Sequence, residues 1–204
     1  MPMSNVDEVQ MVKSWMREYG YYILFSIVVF LAANFGWRYW QQYKYTRTEN
    51  ASIIYGQMLE ASSQKKDAES KLFGEKLIKS YAKSIQASLA ALVLAKNYVD
   101  ADDLKSAQDK LQFVIKKSPS KEIRDLARVR LGRVLIARKE PQKAIDLLAS
   151  SKDDSAYAVL INEVRGDALL KLGKNTEAEK AYRRAKILDE DASSPLLKMK
   201  LQQF

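Results

Sequence analysis

Three acidic clusters, Asp102-Asp103, Asp153-Asp154 and Asp189-Glu190-Asp191, are the groupings in this chain that could do acid–base chemistry. A hydrolase would have to be built on such carboxylates, or on lysines, because the sequence has no His and no Cys. The missing His removes the commonest general base and transition-metal ligand, and the missing Cys removes disulfides, thiolate metal sites and a sulfur nucleophile. All three clusters fall in turns between helical segments, where Asp starts helices, so capping accounts for them without catalysis. The expectation is a protein with no catalytic residue, no metal and no cofactor, whose function is to bind.

The elements that position those turns are helices. The four prolines, Pro2, Pro119, Pro141 and Pro195, sit at helix edges, and seven glycines are spread over 204 residues, so little interrupts helical periodicity. Helical spacing is found near 67–80, 85–99, 103–117, 121–138, 142–149, 155–172, 175–188 and 194–202, with short breaks between. Ala107, Ala144 and Ala178, each early in a second helix, lie 37 and 34 residues apart, and the tetratricopeptide period is about 34. In the preceding helices Ala95, Gly132 and Gly166 supply the small residue where two helices nearly touch, with Tyr98, Leu135 and Leu169 three positions on. Leu111, Leu148 and Tyr182 fill the gap behind the second helices. The Trp usual in the first helix is replaced by Ala91, Arg128 and Asn162, and Arg165 stands where Leu is usual, which leaves the third repeat's register open. Ser193, Ser194 and Pro195 start a last helix that closes the stack, and its deletion is expected to lower stability more than binding.

One segment does not belong to such a stack. From Tyr19 to Trp37 no side chain is charged, and nineteen residues of helix span roughly 28 Å, the hydrocarbon thickness of a bilayer. Tyr19, Tyr21 and Tyr22 gather at one end, and Trp37, Tyr39, Trp40 and Tyr43 at the other, as at two membrane interfaces. Bulky residues around Phe35 and Trp37 disfavour signal cleavage, and aromatics at both borders disfavour a buried core helix. The reading is a permanent anchor in membrane lipid over 19–37, preceded by a short amphipathic segment, 1–18, and followed by a stalk helix, 38–64, and a repeat domain, 65–204. Lys13 and Arg17 before the span against Arg38, Lys44 and Arg47 after it leave the orientation undecided by charge.

The formal net charge is +9, and since residues 1–43 balance, the excess belongs to the part after the span. A basic body attracts nucleic acid, anionic headgroups or acidic chains, or simply presents a solvated face. Nucleic acid is disfavoured because acids are interspersed with the basic residues along each helix and no aromatic–basic recognition motif is present.

Gly36-Trp37-Arg38-Tyr39-Trp40 at the membrane exit, Ala51-Ser52 and Tyr55, Ala87-Ser88-Leu89-Ala90, Tyr98-Val99-Asp100, the Arg165-Gly166-Asp167-Ala168-Leu169-Leu170 turn and Ala178 together resemble the YfgM family over essentially the whole chain. That family comprises bacterial inner-membrane proteins described as ancillary subunits of the SecYEG translocon. The resemblance implies an all-α protein with one transmembrane helix and a tetratricopeptide-like domain, an N-terminus in the cytoplasm and a domain in the periplasm. It also implies association with SecYEG and with the membrane-anchored chaperone PpiD.

A stack of helical pairs has an inner wall of first helices that suits a peptide or a partner helix. In the usual register the residues just off the packing face are Leu89, Leu92, Lys96 and Val99, then Leu126, Val129, Arg133 and Ile136, then Leu160, Glu163, Asp167 and Leu170. This stripe suits weak contact with unfolded or translocating chains or a chaperone; the competing assignment puts its aliphatics in the core of a short stack. The expected function is aid to export by a tethered domain, with a rival in an envelope scaffold, including one for a cytoplasmic regulatory partner, that never touches export substrates.

Overall fold

The computed structural model describes residues 5–149, 155–189 and 195–204. Nine helices run through them: α1 (Asn5–Ser63), α2 (Asp67–Ser80), α3 (Ile85–Asp100), α4 (Leu104–Lys117), α5 (Lys121–Ala137), α6 (Pro141–Ala149), α7 (Ala158–Lys171), α8 (Asn175–Leu188) and α9 (Pro195–Leu201), and no strand is present among the described residues. The chain divides into two compact units, Met1–Glu49 and Asn50–Phe204.

In the first unit α1 carries its apolar side chains outward. Leu24, Phe25, Ile27, Val28, Val29, Phe30 and Phe35 are all exposed, which is costly in water and favourable in lipid. Among the described residues α1 is the one helix long and apolar enough to cross a membrane, with mean hydropathy of 1.6 over its apolar window. The hydroxyl of Ser26, a polar group within that stretch, donates to the Tyr22 carbonyl at 2.7 Å and so needs no other partner. At the far end Trp37 and Trp40 lie with ring centroids 5.4 Å apart, and the Lys44 ammonium sits 3.3 Å from the Trp40 ring centroid. That pairing puts a cation over an aromatic face where a headgroup layer would begin.

The second unit stacks helices in sequence order, each packed on the next, while α5 also touches both α3 and α7. First helices therefore line up beside one another, as repeat stacking requires. Ser84, Asp103 and Ser120 cap α3, α4 and α5, each side-chain oxygen accepting a backbone N–H at 3.0 to 3.1 Å. The turns within the pairs share one geometry. Asp102, Lys139 and Gly173 take left-handed φ of 59°, 61° and 74°, and the next residue's N–H reaches back to the carbonyl of Tyr98, Leu135 or Leu169 at 2.8 to 3.0 Å. This is the Schellman closure that satisfies a helix's last carbonyls.

A fourth turn of the same kind precedes them. Lys65 has φ 58°, and the Lys66 N–H donates to the Ala61 carbonyl at 2.9 Å. Residues 51–63 of α1 thus pair with α2 as a further repeat, with Ala51, Ile54 and Met58 buried against Leu77, Ala87, Ala90 and Leu94. The segment read from the sequence as a stalk runs into this pair from residue 51.

The size pattern explains why the pair was not visible as a repeat. In the later pairs the first helix is small and the second large, as in Ala95 with Leu111, Gly132 with Leu148 and Gly166 with Tyr182. A Cβ on Gly166 would lie 2.5 Å from the Tyr182 ring, so the close approach needs glycine there. In the first pair Met58 stands on the first helix and Gly74 on the second, and a Cβ on Gly74 would lie 3.1 Å from the Met58 methyl. The crossing is the same, with large and small exchanged.

Candidate functional site

The inner wall is built from α3, α5 and α7, and its twelve expected positions do not form one continuous surface. On α3, Lys96 and Val99 are exposed, Leu89 is half-buried and Leu92 is in the core. On α5, Arg133 is exposed and Leu126 and Ile136 are half-buried, but Val129 is 1% exposed, packed with Leu148, Ile161 and Val164. On α7, Leu160, Asp167 and Leu170 are half-buried and Glu163 is buried.

Three of the twelve meet. Lys96, Val99 and Arg133 line a pocket of 330 Å³ between α3 and α5, together with Ala95, Leu104, Leu111, Arg130, Val134 and Ala137. Its floor is aliphatic, and its cations come from both helices. Lys96 forms an exposed ion pair with Asp100 at 2.6 Å, a contact worth little. Arg130 and Arg133 have no ion pair or hydrogen bond among the described residues. Arg130 is the residue that sequence reasoning missed. On α5 the pocket is lined by Arg130, Arg133, Val134 and Ala137, whereas the expected row ran through Val129, which faces the α6 and α7 side. The available signal was that a charged residue beside an aliphatic one is the better candidate for an open wall.

At α7 the wall is closed by the chain itself. The Lys200 ammonium from α9 donates to Glu163 Oε1 at 2.7 Å and to both oxygens of Asp167 at 2.7 and 2.9 Å. The Tyr182 hydroxyl donates to Asp167 Oδ1 at 2.7 Å. Burial first, and then the facing Asp167 carboxylate, push the Tyr182 phenol well above its ordinary value. Leu197 of α9 is buried against Leu169, Ala178, Ala181, Tyr182 and Ala185. Glu163 and Asp167 therefore serve as the seat of α9.

The departures from the repeat pattern also have structural roles. Arg165 reaches from α7 to the Leu148 carbonyl at 2.9 Å, satisfying an acceptor near the C-terminus of α6. Asn162 bonds the Ala158 carbonyl at 2.9 Å, and Arg128 is ion-paired with the buried Asp125. The Ser155 hydroxyl donates to Asp125 at 2.8 Å, tying the start of the third pair to α5. Of the acidic clusters, Asp103 caps α4, and its bonds to Ser106 hold its carboxyl below the usual range. Asp153, Asp154, Glu190 and Asp191 lie outside the described residues.

A family model described as a tetratricopeptide repeat-like domain matches residues 13–204. A protein of Neisseria gonorrhoeae named ancillary SecYEG translocon subunit is 30% identical over 183 residues, covering 87% of each chain. The protein of that name in Escherichia coli K12 is 28% identical over 96% of this chain and 94% of its own length, and the one in Aggregatibacter actinomycetemcomitans is 28% identical over 88% and 87%. The chain belongs to the YfgM family. Membership confirms the all-α, tetratricopeptide-like fold, and with the apolar part of α1 it fits a membrane-anchored protein. In this YfgM chain the inner wall is thus open at α3 and α5 and occupied at α7.

Proposed function

We propose that this chain is a membrane-tethered ancillary subunit of the Sec export translocon. Residues 19–37 anchor it in lipid with the N-terminus in the cytoplasm, and its helical-repeat domain lies in the periplasm. There it binds partner or client proteins, among them the membrane-anchored chaperone PpiD, and aids the hand-over of emerging chains. The observation that carries this reading is the open inner wall between α3 and α5, with an aliphatic floor beside two arginines that have no partner among the described residues. Tethering raises local concentration, so contacts too weak to act in solution become useful beside a channel. The names of the relatives supply the translocon as the place of work.

The test is crosslinking in cells from a photoreactive residue placed at Arg133, with a C-terminal tag probed by protease in intact and osmotically opened cells. Channel or chaperone subunits on the crosslink, with a tag cut only after opening, are the expected results. Crosslinks to envelope proteins alone would favour the scaffold, and a tag protected after opening would remove the periplasmic assignment.

A further inference from the structure

The inner wall shows two solutions to the same problem. At the C-terminal end a short helix, α9, lays Leu197 and Leu201 on apolar groups mostly of α8 and drops one charge, Lys200, onto the opposite charges of Glu163 and Asp167 on α7. At α3 and α5 an apolar floor again lies beside charge, but the sign is reversed and nothing in the described chain supplies the counter-charge of Arg130 and Arg133. Both guanidiniums stand one helical turn apart on α5, within reach of carboxylates on one segment, and a guanidinium binds carboxylate through two parallel bonds. The floor, from Ala95, Leu111 and Val134, has room for a bulky apolar side chain but offers no polar group to orient a small polar ligand.

We infer that this pocket takes an acidic amphipathic segment of a partner protein, with a large apolar side chain seated between α3 and α5 and flanking carboxylates on Arg130 and Arg133. The inference rests on the reading of the inner wall as a protein-binding surface and adds to it the charge and shape of what binds. The seat of α9 is the internal counterpart: apolar anchors laid mainly on α8, and charge opposed to charge at Glu163 and Asp167 of α7. The same rule excludes basic segments from the open pocket, because they would place like charges together.

The experiment uses the full chain in detergent and two fluorescent helix-forming peptides. Both carry Leu at every third or fourth position; one has Glu and the other Lys at the remaining flanks. Fluorescence anisotropy is expected to show the Glu peptide bound at least about tenfold more tightly than the Lys peptide, with the difference shrinking as salt rises. The double substitution Arg130→Glu, Arg133→Glu should reverse the preference while leaving the melting temperature unchanged, since both side chains are exposed. Ala137→Trp, which fills the pocket from its exposed edge, should weaken the Glu peptide about tenfold without changing the sign of the preference. Equal binding of both peptides, a preference that survives the charge reversal, or indifference to Ala137→Trp would each overturn the inference. Failure of both peptides to bind would overturn it too, yet crosslinks from Arg133 to channel subunits would then leave the wider reading standing.

Discussion

The wall at α3 and α5 and the wall at α7 come from the same repeat unit, yet one is open and the other is filled. At the open end Arg130 and Arg133 stand in water with no ion pair or hydrogen bond among the described residues, and the exposed Lys96–Asp100 pair is worth little to the fold. At the filled end Glu163 is buried beneath Lys200, and the half-buried Asp167 shares that ammonium while also accepting the Tyr182 hydroxyl, so one ammonium is the counter-charge for both carboxylates. The difference teaches that exposed charge on a repeat stack is available for binding only where the chain has not already used it. It also means that stability and binding should separate by location along the stack.

The largest effect should come from deleting α9 with Gln202–Phe204. Leu197 and Leu201 leave apolar wall at about 2 kcal/mol each, so thermal unfolding of the full chain in detergent should show a loss of about 4 kcal/mol. Binding at the open pocket should persist below the lowered melting temperature; loss of both together would mean that the two ends are not independent. Next comes a matched pair. Lys200→Met leaves two carboxylates with no counter-charge and should cost about 3 kcal/mol, whereas Arg133→Met should stay within about 0.5 kcal/mol. Equal costs in urea titrations would show that the open cations are structural after all. Two glycine substitutions sharpen the contrast further. Gly166→Ala sets a methyl 2.5 Å from the Tyr182 ring, an overpacking of about 2–3 kcal/mol against a helix gain of about 1 kcal/mol. Gly132→Ala meets Val164 at 3.0 Å and Leu148 at 3.3 Å, aliphatic tips that can give way, so it should change stability by less than about 1 kcal/mol.

These contrasts also mark where the sequence was legible. Breaks such as Ser118-Pro119-Ser120 and Gly173-Lys174-Asn175 located the helices well, because caps and left-handed turns are local chemistry. The small–large crossings at Gly132 and Gly166 were legible for the same reason, once the period was known. The pair formed by residues 51–63 and α2 was not, because exchanging Met58 and Gly74 preserves the packing volume while erasing the motif. Arg130 was missed since adjacent rows on a helix differ by one residue, and only the position of α6 and α7 decides that Val129 points inward. The fate of Glu163 was hidden by distance. Its partner Lys200 lies 37 residues along the chain, and no local pattern joins them.

A last effect expected is a pH slope confined to the filled end, silent at neutral pH. The Tyr182 phenol is pushed above its ordinary 10.0 in the folded protein by burial and by the Asp167 carboxylate. When the chain unfolds above that pH, the tyrosine loses a proton that the folded state keeps, so the unfolded state binds fewer protons and stability falls as pH rises. The contribution is fully present below pH 10 and fades above it, by about 1 kcal/mol over the first pH unit. Tyr182→Phe should flatten this slope while lowering stability at neutral pH by about 1 kcal/mol through the lost hydrogen bond to Asp167. Denaturant titrations at pH 8 and pH 11 on both proteins measure it. A wild-type slope no steeper than the variant's would mean that water reaches the hydroxyl, and that α9 seals the wall less tightly than the contact between Lys200, Asp167 and Tyr182 requires.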